Sequence, residues 1–255
     1  MKSRPSAVAL AAAMALSGGL AAQEPGFKVE VEARGSIERL TGGRADWRSA
    51  QLDLQARNAA RQSYYGSLRA TERFDQGDSE AMLGTYQPFG AGWAMQLEAA
   101  ASPTHRVLAT QSLLAQVERR FDAGWGIQAG YRRGKFEHTG TDLVIGTVDR
   151  YFSSFRAAYS LYLGRPDGAS FGPSHRLQWS YHYTDRSFVG ISAASGKETE
   201  NIFPSGVLTS QVRGLSLAGR HEFAPGWAAT YEWLMHRQGD LYTRRGFGLG
   251  LRHAF

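Results

Sequence analysis

The sequence predicts an all-β chain that closes into an antiparallel, up-and-down transmembrane β-barrel of about fourteen strands. Three observations predict it. Apolar and polar residues alternate with period two in segments of about ten residues. A Phe-x-x-Gly-Trp turn occurs three times. The last segment is strand-like and ends on Phe255.

The first residues read as a signal peptide. Lys2 and Arg4 supply the positive start, Ala7 to Leu16 is a short apolar run, and small residues suit cleavage after Ala21 or Ala22. The run is about half of the roughly 20 residues that a membrane-crossing helix needs. Residues 1–22 are therefore expected as a leader and 23–255 as the barrel. The sequence holds no cysteine, which excludes disulfides, thiolate metal sites, cysteine catalysis and a lipidated N-terminal cysteine. The net charge is +6, of which Lys2 and Arg4 contribute two. The remaining basic residues are spread singly through strand-like segments rather than gathered in a stripe, which argues against nucleic-acid binding.

Strands are expected to begin near Phe27, Trp47, Tyr64, Ala81, Trp93, Ser112, Trp125, Leu143, Phe155, His175, Phe188, Val212, Trp227 and Tyr242. Twelve strands would result if the eighth and ninth segments formed one bent strand. In the first, Val29, Val31 and Ala33 alternate with Glu30, Glu32 and Arg34; in the second, Leu52, Leu54 and Ala56 alternate with Asp53, Gln55 and Arg57. Alternation alone does not say which face is wet, because a soluble barrel hides its apolar face and a membrane barrel shows it to lipid.

The turns decide. Phe89 to Trp93, Phe121 to Trp125 and Phe223 to Trp227 each put two large aromatics at the base of a hairpin, on the apolar phase. With Phe255 they are expected to form a girdle at the water–lipid boundary. All three turns join an even strand to the next odd one. The longer or more polar links, Leu40–Asp46, Ser102–Thr110, Gly164–Pro173 and Gly196–Gly206, join odd strands to even ones. Short turns at one rim and longer loops at the other are the habit of outer-membrane barrels. In the final strand Phe247, Leu249, Leu251 and Phe255 share one phase; His253 falls where another apolar residue would be usual.

The final strand Tyr242 to Phe255, the run Tyr151-Phe152 followed by Phe155 to Leu163, and Ser174-His175-Arg176-Leu177 resemble the YaiO-type outer-membrane β-barrel family. The resemblance implies outer-membrane residence and, in longer relatives, attachment to helical-repeat domains, which this sequence lacks. It implies no particular chemistry.

With the apolar phase toward lipid, the other phase lines the lumen. It carries Glu30, Glu32, Arg34, Asp53, Arg57, Arg69, Glu98, Glu118, Arg120, Arg132, Arg156, Arg176, Arg220, Glu222, Glu232, Arg244 and Arg252. Interior charges need partners, so cross-strand pairing is the expected fate of most of them. The arginine excess implies a narrow lumen with some preference for anions. Strand one rising and the last descending should bring Glu30 near Arg252, with Glu232 on the adjoining strand.

No catalytic, cofactor or metal site is expected. Ser180 and His182 share a face but sit about 7 Å apart along a strand, too far for direct activation. His221 and His253 fall on the outward phase near the girdle, and no spacing draws His175, His182 and His236 together. The expected role is a narrow channel or envelope scaffold without cofactor. Its expected partners are outer-membrane lipid, the barrel assembly machinery, and an anionic solute or polysaccharide. The alternatives are the outer-membrane port of a polysaccharide exporter and a barrel-embedded lipid- or polysaccharide-modifying enzyme.

If the last strand carries the assembly signal, deleting Phe255 strongly reduces the folded, heat-modifiable form recovered from outer membranes. Full recovery of the truncated protein would show that the signal lies elsewhere.

Overall fold

The computed structural model describes residues 26–202 and 204–255; the expected leader lies outside the described residues. Fourteen strands follow one another: β1 Phe27–Leu40, β2 Trp47–Asn58, β3 Ser63–Arg73, β4 Gln76–Phe89, β5 Trp93–Ala101, β6 Gln111–Arg120, β7 Trp125–Lys135, β8 Gly140–Phe152, β9 Phe155–Pro166, β10 Gly172–Thr184, β11 Ser187–Ile202, β12 Gly206–Ala224, β13 Trp227–Gln238 and β14 Tyr242–Ala254. Each pairs antiparallel with its sequence neighbours, and β1 pairs with β14 to close the barrel. The β8 and β9 segments are separate strands, joined by a tight turn that sets Phe152 opposite Phe155.

Large apolar side chains face outward: Leu83 is 73% exposed, Leu113 62% and Leu177 62%. A chain folding in water would hide these groups; in lipid they lie against solvent of their own kind.

One expected loop is not a loop. The sequence predicts a polar connection at Gly196–Gly206, yet β11 continues to Ile202 and β12 begins at Gly206. The pairing runs unbroken from Gly196↔Val212 to Ile202↔Gly206, and the Thr199 and Thr209 hydroxyls meet at 2.8 Å. Polar composition does not end a strand whose surroundings are wet on both sides. Likewise β9 and β10 take up both ends of the Gly164–Pro173 link, leaving a shorter loop.

The three aromatic turns share one backbone device. The glycine before each tryptophan, Gly92, Gly124 or Gly226, has φ of +73°, +79° or +77°. A Cβ there would lie 2.6 Å from the Arg120 carbonyl, 2.2 Å from that of Tyr151, or 2.8 Å from that of Ala254. The turn thus presses against the end of the next strand, and Arg120 and Ala254 donate their N–H groups to the Gly92 and Gly226 carbonyls at 2.7 and 2.8 Å. Gly90 has φ of +61° but open space around it.

Gly90→Ala is therefore expected to cost only the left-handed penalty, roughly 1–2 kcal/mol. Gly124→Ala adds a backbone collision and should lower the unfolding temperature clearly more. Equal losses would show that the close approach at Gly124 is not a constraint.

Candidate functional site

The lumen wall is a set of charge ladders. Arg69 meets Glu80 at 2.9 Å, Arg132 meets Glu98 at 2.9 Å and Arg244 meets Glu38 at 3.0 Å. Arg120 bridges Glu118 and Asp149, each at 2.7 Å, and Arg156 reaches Asp149 at 3.4 Å. Tyr65 lies across Gly84, where any side chain would collide with its ring, and so reaches over to donate to Glu98 at 3.1 Å. Such ladders satisfy groups that would be costly to leave single in a confined space.

At the closing seam Arg252 contacts Glu30 and lies 3.8 Å from Glu32. In register Glu32 stands opposite Arg252 and Glu30 opposite Ala254, so the arginine spans two rungs. Glu232 does not join it. Ala228 is the β13 residue opposite Arg252, while Glu232 stands further up beside Gly248 and makes no ion pair among the described residues. Glu232 lies on the strand next to that of Arg252, as expected, but four residues along it from the rung opposite Arg252. Arg220 and Glu222 also do not pair with each other. Glu222 takes Arg186 at 2.9 Å, and Arg220 donates to the Arg186 carbonyl at 2.6 Å and lies over Phe188.

The outer mouth is covered. Trp47, Phe74, Val107, Leu108, Ile202 and Tyr242 form a buried apolar cluster there, and Trp47 is clasped between Arg73 and Arg244 at 4.5 and 4.7 Å. Two segments fold in to build it. The β5–β6 loop is held by Asp78, whose carboxylate accepts N–H groups from Arg106, Val107 and Leu108 at 2.7–3.0 Å. The β11–β12 hairpin crosses toward the far wall: Glu200 meets Arg73 at 3.5 Å and the Tyr242 hydroxyl at 3.2 Å, and Asn201 donates to the Arg106 carbonyl at 3.2 Å. Beneath it lie two neighbouring cavities, of about 410 and 350 Å³, sharing Arg132, Thr141 and Thr199. Arg176 and Lys197 line the second and make no ion pair among the described residues. The sequence does not announce this lid, because its members sit singly in different links; the apolar Val107-Leu108 inside a loop is its one local signal.

The histidines do not converge. His175 faces outward against the Tyr159 hydroxyl at 2.7 Å, while His236 and His182 face inward near opposite rims. The separation expected for Ser180 and His182 is corrected: Oγ and Nε2 lie 3.3 Å apart. The strand loses register just beyond His182, and the ring leans back along the strand, tilted against Phe188.

At the opposite rim Phe89, Trp93, Phe121, Trp125, Phe223, Trp227 and Phe255 all face outward and exposed. Phe89 stacks on Trp93, and His253 sits between Trp227 and Phe255 at 4.2 and 4.5 Å. Arg119 lies over Trp93 and Phe121, and Arg150 over Trp125. The girdle continues where no repeated motif announced it, through Phe152, Phe155, Trp179 and Tyr181.

The sequence pattern described as "YaiO membrane beta barrel domain" matches residues 28–201. The chain belongs to this family. The matched stretch includes the Tyr151–Leu163 and Ser174–Leu177 segments of the resemblance and ends before the last strand. A comparison with curated protein sequences found no match. Among solved structures the chain is similar to Omp33 of Acinetobacter baumannii, with a TM-score of 0.55 and 11% identity over 90% of this chain and 100% of that one. It is also similar to the KdgM porin, with a TM-score of 0.51 and 11% identity over 89% of this chain and 99% of that one. OmpF of Salmonella typhi matches with a TM-score of 0.52 and 10% identity over 90% of this chain and 97% of that one. Identities this low speak to fold. Family and fold together place this YaiO barrel in the Gram-negative outer membrane.

In this family member the Arg252 seam gives a direct test. Arg252→Ala should lower stability by about 1–2 kcal/mol, and Glu30→Ala by less, since Arg252 keeps Glu32. Adding Glu30→Ala to the arginine variant should change little. Fully additive losses in denaturant unfolding would mean that Glu30 and Arg252 do not interact.

Proposed function

We propose that the barrel is a narrow, gated conduit with a preference for small anions. One observation carries the reading: the β11–β12 hairpin lies across the outer mouth over cavities lined by arginines. The wall ladders leave space between them, and among the described residues the lid rests on one ion pair, two side-chain hydrogen bonds and a small apolar cluster. Contacts of that size allow local opening without unfolding the wall, because the strands beneath keep their own pairing. Arg176 and Lys197 are the cations best placed to receive an anion, since no carboxylate pairs with either among the described residues.

The ladders favour a second reading, an envelope scaffold whose lumen is stapled shut. Hydrolysis has less support: Ser180 and His182 touch, but no acid or amide orients the histidine among the described residues.

Planar-bilayer recording separates the readings. Replacing residues 198–210 by an Asn-Gly turn joins Lys197 and Gln211, which are already opposite in register. The wild type should show low, intermittent conductance. The shortened variant should show a larger, steady one, with a reversal potential on the anion side in a salt gradient. A folded variant that conducts no better than the wild type would defeat the conduit and leave the scaffold.

A further inference from the structure

The outward face carries five clustered arginines, four of which make no ion pair among the described residues. Arg213 on β12 stands directly opposite Arg237 on β13, and Arg245 on β14 directly opposite Arg39 on β1. Arg237 is opposite Thr243, two residues before Arg245, and Arg48 on β2 is opposite Ile37, two residues before Arg39. Diagonal neighbours of this kind are about 7–8 Å apart. The five therefore form one continuous belt over β12, β13, β14, β1 and β2, and all are exposed.

Like charges directly opposite in a sheet are destabilising; Asp240 offsets one member of the Arg213–Arg237 pair, while the Arg39–Arg245 pair calls for an external counter-charge. The carboxylates close by are Asp240, which Arg237 meets at 2.9 Å, and Glu72, opposite Arg48 in register. Arg39, Arg48, Arg213 and Arg245 make no ion pair among the described residues. Elsewhere the barrel compensates its outward arginines. On β7 and β9, Arg133 meets Asp142 and Asp167 at 2.9 and 2.6 Å, and Arg165 meets Asp142 at 3.1 Å. Asp167, in the loop after β9, is held below the usual carboxylate range by its hydrogen bonds to Arg133. At the girdle, Arg119 and Arg150 lie over aromatic rings.

The height of the belt names the missing partner. Toward the girdle, the same faces continue as Leu215 and Leu217, Met235 and Trp233, Phe247 and Leu249, and Ile37, all exposed apolar residues. The arginines thus mark the boundary between the lipid-facing band and the outer rim, the level of the outer-leaflet headgroups. We propose that this face binds the phosphate groups of the outer-leaflet glycolipid. Arginine suits the task because its planar donors grip phosphate oxygens two at a time. The acyl chains would lie over the apolar residues beneath.

The test uses thermal unfolding of the full barrel in neutral detergent with lipid A carrying both phosphates, lipid A stripped of phosphate, or inorganic phosphate alone. The phosphorylated lipid should raise the melting temperature of the wild type, while the stripped lipid and free phosphate should do so little. R39Q/R245Q should melt at or above the wild type without lipid, since it removes a repulsive pair, and should bind phosphorylated lipid A about tenfold more weakly. R61Q, in the β2–β3 turn at the other rim, should bind as the wild type does. Equal response to stripped and phosphorylated lipid, equal response to free phosphate, or unchanged binding by R39Q/R245Q would each overturn the proposal. A lower melting point of R39Q/R245Q without lipid would also overturn it, by showing that these arginines already have partners within the protein.

Discussion

Hydrocarbon offers a backbone N–H or C=O no partner, and each one left single there costs several kcal/mol. Fourteen strands laid side by side would still expose two unpaired edges. The pairing of β1 with β14, from Glu30↔Ala254 to Leu40↔Arg244, removes both. Everything else in the molecule is arranged around that closure. The Arg252 contacts with Glu30 and Glu32 lie on the lumen side of the same seam, so a side-chain pair reinforces the rungs that complete the ring.

Closure with the apolar phase outward inverts the economy of a soluble protein. The interior receives the polar residues, and a ring of this many strands is too wide for side chains to fill by packing. Ladders of arginine and carboxylate line it instead, with hydroxyl pairs such as Thr147–Ser160 and Ser192–Ser216 between them, both at 2.8 Å. The buried apolar cluster sits at the outer mouth rather than at the centre. It is assembled from strand ends and links, the parts of the chain that lipid does not constrain.

The two rims solve the boundary problem differently. At the short-turn rim, aromatic rings take the interface, and Arg119 and Arg150 lie over them. At the loop rim, arginines take it, neutralised by Asp142 and Asp167 around β7 to β9 and clustered, mostly without ion pairs among the described residues, from β12 to β2. A ring tolerates both water and lipid without a counter-ion, whereas an exposed arginine row draws anions.

The sequence by itself determined the wall. Period-two alternation assigned each residue to lipid or lumen, and the Phe-x-x-Gly-Trp turns sorted the hairpins between rims, because both signals are local and a pleated strand obeys them wherever it lies. Residue-level charge placement was legible for the same reason, including the neighbourhood of Glu30 and Arg252. Which rung meets which is not legible, since the stagger of a barrel is set by closure of the whole ring: Glu232 lies on the expected strand, beside Gly248 rather than Arg252. The Ser180–His182 contact depended on a loss of register and a ring angle that spacing does not encode. The lid depended on tertiary structure most of all. Trp47, Phe74, Val107, Ile202 and Tyr242 are far apart in the chain, and only the closed barrel brings their links over one mouth. The arginine belt likewise exists only through closure, because Arg39 and Arg245 become neighbours when the first strand meets the last.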